Sequence, residues 1–488
     1  MNGYSPTLYL VGAGPGDPSL LSLKGRDAIR RADVLFYDPK VNRALLKEGS
    51  DKADYVPVET GSPNGLQEML KAVAEEKRVV WCVPGDPFLH SSVVRDAERL
   101  ARHGVVCEPV PGVPWQLAIP LYSGIPVGSN WMVRQYGEMN EKDWDDLVAA
   151  SGTRILCLDG HFLPDATRRL LSANASLDLS VAWVKHGSRM EQSVWTGSLG
   201  QLSNGAPDPG EGVLILGEVV RSQEHLQWFE KKPLFGRRIL ITRAKGQSES
   251  MVQQVRELGG ETVEFPVIDL RPPRQQDQLD QALKQLDRYQ WVIFTSVNGV
   301  EYFFSHLNRL GIDVRQMYRA RLVTIGPKTA DALEERGLRV DIQPEEYRAE
   351  SLIDALKPMV SSGERVLLPR ANIARELLAV ELERMGCVVT DVDAYDTVPG
   401  TEGLQETVEM LQQKRLHILT FTSSSTVRYF VKALQSIEKD WKPLLEGVQV
   451  ACIGPITANT AKEHGICVNT VARTYTIEGL IEAVKKLP

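Results

Sequence analysis

The chain has no membrane-length apolar helix, no metal-spaced cysteine pair and no basic tract, and each absence removes a class of function. The longest stretch free of charge, Pro109 to Val133, is long enough to cross a bilayer, but Pro109, Pro111, Pro114, Pro120 and Pro126 interrupt it, so it cannot be a spanning helix. Met1 to Leu10 offers no basic segment followed by an apolar run, which argues against a signal peptide and makes the cytoplasm the expected compartment, with no membrane partner. The six cysteines (Cys82, Cys107, Cys157, Cys387, Cys452 and Cys467) show no C-x-x-C spacing and mostly sit in apolar strand-like runs. That pattern argues against zinc, any other metal site or a disulfide framework and predicts buried, reduced thiols. Net charge is −7 and no run of Lys or Arg resembles a nucleic-acid footprint, so an anionic ligand must be held by a few local groups.

What is present is ordinary globular material, 43% hydrophobic and 24% charged, in 488 residues. That length calls for about three domains or domain halves. From Thr7 onward, short apolar runs (Leu8 to Val11, Val34 to Tyr37, Val79 to Val83, Val105 to Val110) alternate with helix-period segments (Leu20 to Arg31, Leu66 to Glu76, Val93 to Arg102). The alternation predicts an α/β unit with a largely parallel sheet flanked by helices. A second lobe begins near Trp131, with strands expected at Arg154 to Leu158, Ser180 to Lys185, Ser193 to Gly197 and Val213 to Val220, the later ones close enough to be antiparallel. We therefore expect an N-terminal domain over residues 1–220, with lobes of about 1–128 and 129–220, a polar linker over 221–235 and a C-terminal domain over 236–488.

The C-terminal half contains an internal echo. Phe294-Thr295-Ser296 returns as Phe421-Thr422-Ser423, an offset of 127 (Thr295 to Thr422), and Ile325-Gly326-Pro327 with Thr329 returns as Ile453-Gly454-Pro455 with Thr457, an offset of 128 (Gly326 to Gly454). Two landmarks sharing nearly one offset imply duplicated α/β lobes.

Three Gly/Pro turns follow successive strands in the N-terminal half: Gly12-Ala13-Gly14-Pro15-Gly16-Asp17-Pro18, Pro84-Gly85-Asp86-Pro87-Phe88 and Pro111-Gly112-Val113. Each is either a tight turn or a place where backbone N–H groups approach a ligand. Their shared position at strand carboxyl ends marks a crevice. These turns, with Leu23-Lys24-Gly25, Ala32-Asp33-Val34, Gly124-Ile125-Pro126 and Gly217-Glu218-Val219-Val220, resemble the tetrapyrrole methylase family over about residues 7 to 220, and most closely its uroporphyrinogen-III C-methyltransferases. The resemblance implies a two-lobed fold holding S-adenosylmethionine between the lobes, a tetrapyrrole substrate and a possible homodimer through this half. Carried over by position, Pro15, Gly85, Asp86, Trp115, Leu158 and Gly187 would line the cofactor cleft. The family's Val-Phe-Gly-Arg-Gly-Gly-Glu-Glu stretch is Leu89 to Asp96 here, so that its Arg becomes Ser92 and its first Glu becomes Arg95. Losing an arginine aimed at substrate carboxylates forfeits charge-assisted hydrogen bonds of about 1.5 to 3 kcal/mol each. Two readings follow: a methyltransferase making precorrin-2, or an altered methylase-like domain that docks partners or methylates another substrate.

Residues 236 to 487 resemble the uroporphyrinogen-III synthase family through Ile239-Leu240-Ile241-Thr242-Arg243, Phe294 to Val300, Leu368-Pro369-Arg370, Tyr395-Asp396-Thr397, Phe421 to Ser425 and the two Ile-Gly turns. The fold class expected for the whole chain is thus a two-lobed tetrapyrrole methylase fold followed by a two-lobed synthase fold. The resemblance implies closure of hydroxymethylbilane with inversion of its last ring and no cofactor. It also implies that strand Arg238 to Thr242 joins the C-terminal lobe (236–270 plus 396–488) and that 271–395 form an inserted lobe. Thr295, Ser296, Thr329, Thr422, Ser423, Ser424 and Thr457 all follow strands and precede helices, where they either cap a helix or bind a substrate carboxylate. Arg243 and Arg370, at strand ends, are the expected carboxylate partners. Tyr395 is the candidate proton donor to the leaving hydroxyl, or a core tyrosine.

Overall fold

The computed structural model describes residues 7–50, 52–205, 210–244 and 246–488. The chain divides into two compact units, one running up to Arg237 and including Val255–Glu261, the other made from the remaining residues beyond Arg238. No described helix is long and apolar enough to cross a membrane. No cluster of His, Cys, Asp or Glu among the described residues is arranged to hold a metal ion.

The first unit begins with strands β1 (Thr7–Gly12), β2 (Val34–Tyr37), β3 (Asp54–Pro57), β4 (Val79–Val83) and β5 (Val106–Val110), all parallel in the order β3-β2-β4-β1-β5. Central β4 is covered on both faces and is apolar throughout, whereas edge strand β3 is mostly exposed and carries Asp54 and Tyr55 outward, so it has no apolar run for a sequence reading to find. The second sheet contains β6 (Trp131–Gln135), β7 (Thr153–Asp159), β8 (Ser180–Lys185), β9 (Ser193–Ser198) and β10 (Glu211–Leu216), ordered β6-β7-β10-β8-β9. Only β6 and β7 are parallel; β10 pairs antiparallel with β7 and β8, and β8 with β9. The charge-free stretch supplies the join between the lobes. Its helix Trp115–Tyr122 and following turn bury Ile119 and Ile125 against Ile155, Ala182, Val184 and Ile215 on one face of the second sheet.

Residues 221–235, expected as a linker, carry a short helix, Gln223–Leu226, and an aromatic cluster in which the Tyr122 ring lies 5.1 Å from Trp228 and 4.8 Å from Phe229. Cys82, Cys157, Cys387 and Cys452 are buried as expected, but Cys107 is only half-buried and Cys467 is exposed, because it lies in the loop that leads to edge strand β20 (Thr470–Val471).

In the second unit β11 (Arg238–Ile241) and β12 (Glu261–Glu264) precede an inserted sheet of β13 (Ile268–Arg271), β14 (Trp291–Phe294), β15 (Arg321–Thr324), β16 (Arg365–Ala371) and β17 (Val388–Pro399). The chain then returns as β18 (Ile418–Phe421), β19 (Gln449–Cys452) and β20. The orders are β12-β11-β18-β19-β20 and β13-β17-β16-β14-β15, with β11 paired to β18. The two crossovers between the lobes are themselves strands: Ile268 to Arg271 pair antiparallel with Pro399 to Asp396. The backbones are so close at this crossing that a Cβ on Gly400 would fall 1.9 Å from the Pro266 carbonyl oxygen.

Arg370, expected to face substrate, is instead inside the inserted lobe. Its guanidinium is 6% exposed, pairs with both carboxylate oxygens of Asp391 and donates to the Arg375 carbonyl at 2.5 Å. With these partners met, it is a strut between β16 and β17.

Two stability measurements check this crossing and this strut. Gly400→Ala should destabilise the second unit by about 2 kcal/mol, the cost of overpacking a closed contact, read as a lower unfolding midpoint in urea. Asp391→Ala should cost about 3 kcal/mol by the same measurement, because it strands a buried guanidinium.

Candidate functional site

Strands β4, β1 and β5 lie side by side and parallel, so their three Gly/Pro turns open on one edge of the sheet. Gly14 and Gly85 exchange main-chain hydrogen bonds, Gly14 N–H to Gly85 O at 3.2 Å and Gly85 N–H to Gly14 O at 2.8 Å. A Cβ on Gly12 would lie 2.5 Å from Gly85 O and 2.6 Å from Gly112 N, and one on Gly112 only 2.2 Å from Gly85 O. The three turns therefore pack main chain on main chain. Asp86 ties them: its Oδ1 accepts from Phe88 N at 3.0 Å and its Oδ2 from Gly112 N at 3.2 Å. Gly85 has φ +64°, and a Cβ there would meet Trp115 Cδ1 at 2.6 Å, so the indole lies directly against the turn.

The second lobe contributes the turn after β8, where His186 (φ +48°) and Ser188 (φ +66°) hold left-handed conformations that cost L residues about 1 kcal/mol or more each. The turn reaches the first lobe at Gly16: a Cβ there would fall 3.1 Å from Arg189 Cγ and 3.2 Å from Ser188 Oγ. Arg189 donates to the Lys40 carbonyl at 3.1 Å, and Asn42 Nδ2 to the Gly16 carbonyl at 2.8 Å. Gly187 backs onto Ile119. Ser188 is 3% exposed and its hydroxyl has no hydrogen-bond partner among the described residues, an orphaned polar group where the lobes face each other. Pro15, Gly85, Asp86, Trp115 and Gly187 are thus gathered around these turns. Leu158 is not: its side chain is packed in the core on the helix-covered face with Trp144 and Leu163, so only its main chain is available to a ligand.

Ser92 and Arg95 lie in the helix Ser91–Arg102, with Arg95 exposed. Ser91 Oγ donates to Glu138 of the second lobe at 3.0 Å, and the neighbouring Asp96, 2% exposed, accepts from Gly61 N at 2.6 Å and pairs with Arg99 at 3.2 Å.

In the second unit each lobe presents two helix N-termini beyond adjacent parallel strands. Helices Val297–Leu310 and Pro327–Glu334 follow β14 and β15; Ser424–Ile437 and Pro455–Glu463 follow β18 and β19. Ser296 and Ser423 are side-chain N-caps, to Gly299 N at 3.0 Å and Thr426 N at 3.2 Å. Thr295 and Thr422, just before them, are half-buried, while Thr329 and Thr457 are buried in the first turns of the following helices. Ser424 accepts from Thr460 at 2.8 Å. Tyr395 is buried, its hydroxyl 3.1 Å from Ser296 Oγ, and its ring stacks on Tyr302 with centroids 5.3 Å apart. Tyr395 thus reaches the capped end of the helix that follows Thr295 and Ser296.

Arg243 stands two residues beyond Ile241, whose partner in β18 is Thr420, and so on the same edge as Thr422 and Ser423. It is half-buried, its Nε is unpartnered among the described residues, and burial lowers its pKa. Sequence reasoning missed Ser188, Tyr302 and a pair of tyrosines. Tyr347 and Tyr475, 60% and 66% exposed, lie against the N-cap glycines Gly326 and Gly454. They share the 128-residue offset of those glycines (Tyr347 to Tyr475), a signal the internal repeat already held.

Comparison with known proteins matches both units. The family model for tetrapyrrole (corrin/porphyrin) methylases matches residues 7–203, and that for uroporphyrinogen-III synthase HemD matches 249–482. A porphyrin biosynthesis protein HemD of Ruminiclostridium josui is 30% identical over 98% of this chain and 97% of its own length. A uroporphyrinogen-III synthase of Synechococcus elongatus is 33% identical over 52% of this chain and 97% of its own, and a uroporphyrinogen-III C-methyltransferase of Bacillus subtilis 29% identical over 69% and 73%. Among solved structures, a Thermus thermophilus uroporphyrin-III C-methyltransferase complexed with S-adenyl homocysteine aligns with 44% of this chain and 99% of its own at 26% identity and a TM-score of 0.39. With both family models matched in order and a relative aligned along nearly its whole length, the chain belongs to the family of tetrapyrrole biosynthesis enzymes in which a tetrapyrrole methylase is joined to a uroporphyrinogen-III synthase.

Proposed function

We propose that the C-terminal unit converts hydroxymethylbilane to uroporphyrinogen III and that the N-terminal unit binds S-adenosylmethionine and methylates a tetrapyrrole. The observation that carries the synthase reading is the matching arrangement in the two lobes: in each, two helix N-termini with hydroxyl residues before or within their first turns. Such ends bind carboxylates without a permanent charge, which suits a flexible polycarboxylate substrate that must be folded before it can close. Arg243 adds a half-buried cation at this edge of the C-terminal lobe. Its Nε, unpartnered among the described residues, is a donor for which a substrate carboxylate would be the acceptor. Tyr395, tethered to Ser296, is placed to hold a proton for the departing hydroxyl, with positioning by the lobes contributing more than acid catalysis.

In the N-terminal unit the residues present fit the cofactor. The joint of the Gly12, Gly85 and Gly112 turns, the Trp115 ring against it and the Ser188 hydroxyl, orphaned among the described residues, offer main chain, an aromatic ring and one unmet hydrogen bond to such a ligand. The bound cofactor would supply an electrophilic methyl group; the chain would supply orientation and exclusion of water. Which tetrapyrrole is methylated depends on the Leu89–Asp96 segment, where Asp96 is committed to Gly61 and Arg99. Uroporphyrinogen III is the acceptor this reading expects, with another substrate or a docking role as the alternative.

Chromatography of products from hydroxymethylbilane tests the main reading: the full chain should give the type III isomer, and only type I product would defeat it. Arg243→Leu should raise KM about tenfold with little change in kcat, the loss of one charge-assisted bond to substrate. Tyr395→Phe should lower kcat about tenfold at unchanged KM, and a larger fall, beyond a hundredfold, would make acid catalysis dominant.

A further inference from the structure

The segment after the methylase sheet reaches both cofactor turns. Gln192, 4% exposed and just beyond the β8 turn, accepts from Ser188 N through Oε1 at 2.9 Å. Its Nε2 donates to the Tyr122 carbonyl and to Glu230 Oε1, both at 3.2 Å. Glu230 is held in turn by Gln227, whose Nε2 donates to its Oε2 at 2.6 Å. The same segment grips the first lobe's turn through Tyr122, whose hydroxyl donates to Asp17 Oδ2 at 2.8 Å and whose ring is packed by Trp228 and Phe229. Trp228 Nε1 donates to the Leu121 carbonyl at 3.0 Å, and Gly124 (φ +75°) leaves the Leu226 and Gln227 backbones only 2.6 Å from where its Cβ would be.

We propose that Glu230 is a positioning residue of the methylase: through Gln192 it holds the strained Ser188 turn against Gly16, while Tyr122 fixes Asp17 on the opposite wall. Residues 226–230 are therefore part of the cofactor cleft's framework and not a spacer. The physical reason is the cost of the turn. Two left-handed non-glycine residues persist only where their surroundings over-determine them, and the Ser188 N–H is satisfied by a side chain whose own amide is held from the junction segment. The role rests on the reading that this cleft binds S-adenosylmethionine.

Titration calorimetry of the full chain with S-adenosylmethionine tests it. Glu230→Ala should weaken binding about fivefold, the scale of one partly buried hydrogen bond, while Glu230→Gln, which keeps an acceptor for Gln192, should stay within about twofold of the parent. Tyr122→Phe should weaken binding several-fold by the separate route through Asp17, and formation of the type III isomer should be unchanged in all three. Parental affinity in both Glu230→Ala and Tyr122→Phe would overturn the proposal, as would equal losses in Glu230→Ala and Glu230→Gln, the mark of a merely structural residue. No binding by the unmodified chain would instead remove the cofactor reading itself, and the positioning role with it.

Discussion

There is no space for a side chain where the turns after β1, β4 and β5 meet, and much of the first unit is arranged around that contact. Gly12, Gly85 and Gly112 bring three main chains within a distance that any Cβ would block. The contact is held by the Gly14 and Gly85 hydrogen bonds and by the Asp86 carboxylate, which spans from Phe88 to Gly112. Because the third turn is pinned there, helix Trp115–Tyr122 starts directly against Gly85 and carries the uncharged stretch onto the second sheet. A glycine motif that looks like a ligand loop is thus first a joint between main chains.

The second unit solves a different problem. The chain carries a net charge of −7 and no run of Lys or Arg in its sequence, so a polycarboxylate must be held by a few local groups. Helix N-termini supply fixed partial charge without mobile cations, and duplication presents them in two lobes. The few arginines at strand ends then divide their tasks. Arg370 is consumed inside its lobe by Asp391, whereas Arg243 keeps a donor unmet among the described residues, at the edge where Thr422 and Ser423 precede their helix. Both read alike in sequence, as a strand-final arginine. What separates them is Asp391, a residue 21 positions away that the parallel pairing of β16 with β17 brings alongside.

Strands buried on both faces were legible in sequence, and so were two edge strands, Val106–Val110 and Ser193–Ser198. Val34–Tyr37, Val79–Val83 and Ser180–Lys185 are strands with the expected limits, since a continuous apolar run at the centre of a sheet has no other use. Edge strand Asp54–Pro57 and crossover strand Ile268–Arg271 escaped because their faces are mixed and their order comes from a neighbour, Tyr37's strand in one case and Thr397's in the other. The residues 221–235, polar and without period, read as a spacer. Their order derives from Tyr122, about a hundred positions earlier, and no local pattern announces that.

Sequence alone determined the lobed α/β architecture and the family of each half, because apolar periodicity, turn glycines and repeat offsets are local or self-referential signals. It also placed the glycines and hydroxyl residues at strand ends. Tertiary structure decided what surrounds each candidate: Leu158 turned into a core, Arg370 locked to Asp391, Ser188 with a hydroxyl unmet among the described residues, Tyr395 joined to Ser296. These outcomes depend on which distant main chains and charges arrive beside each residue, and only the packing of sheets and crossovers settles that.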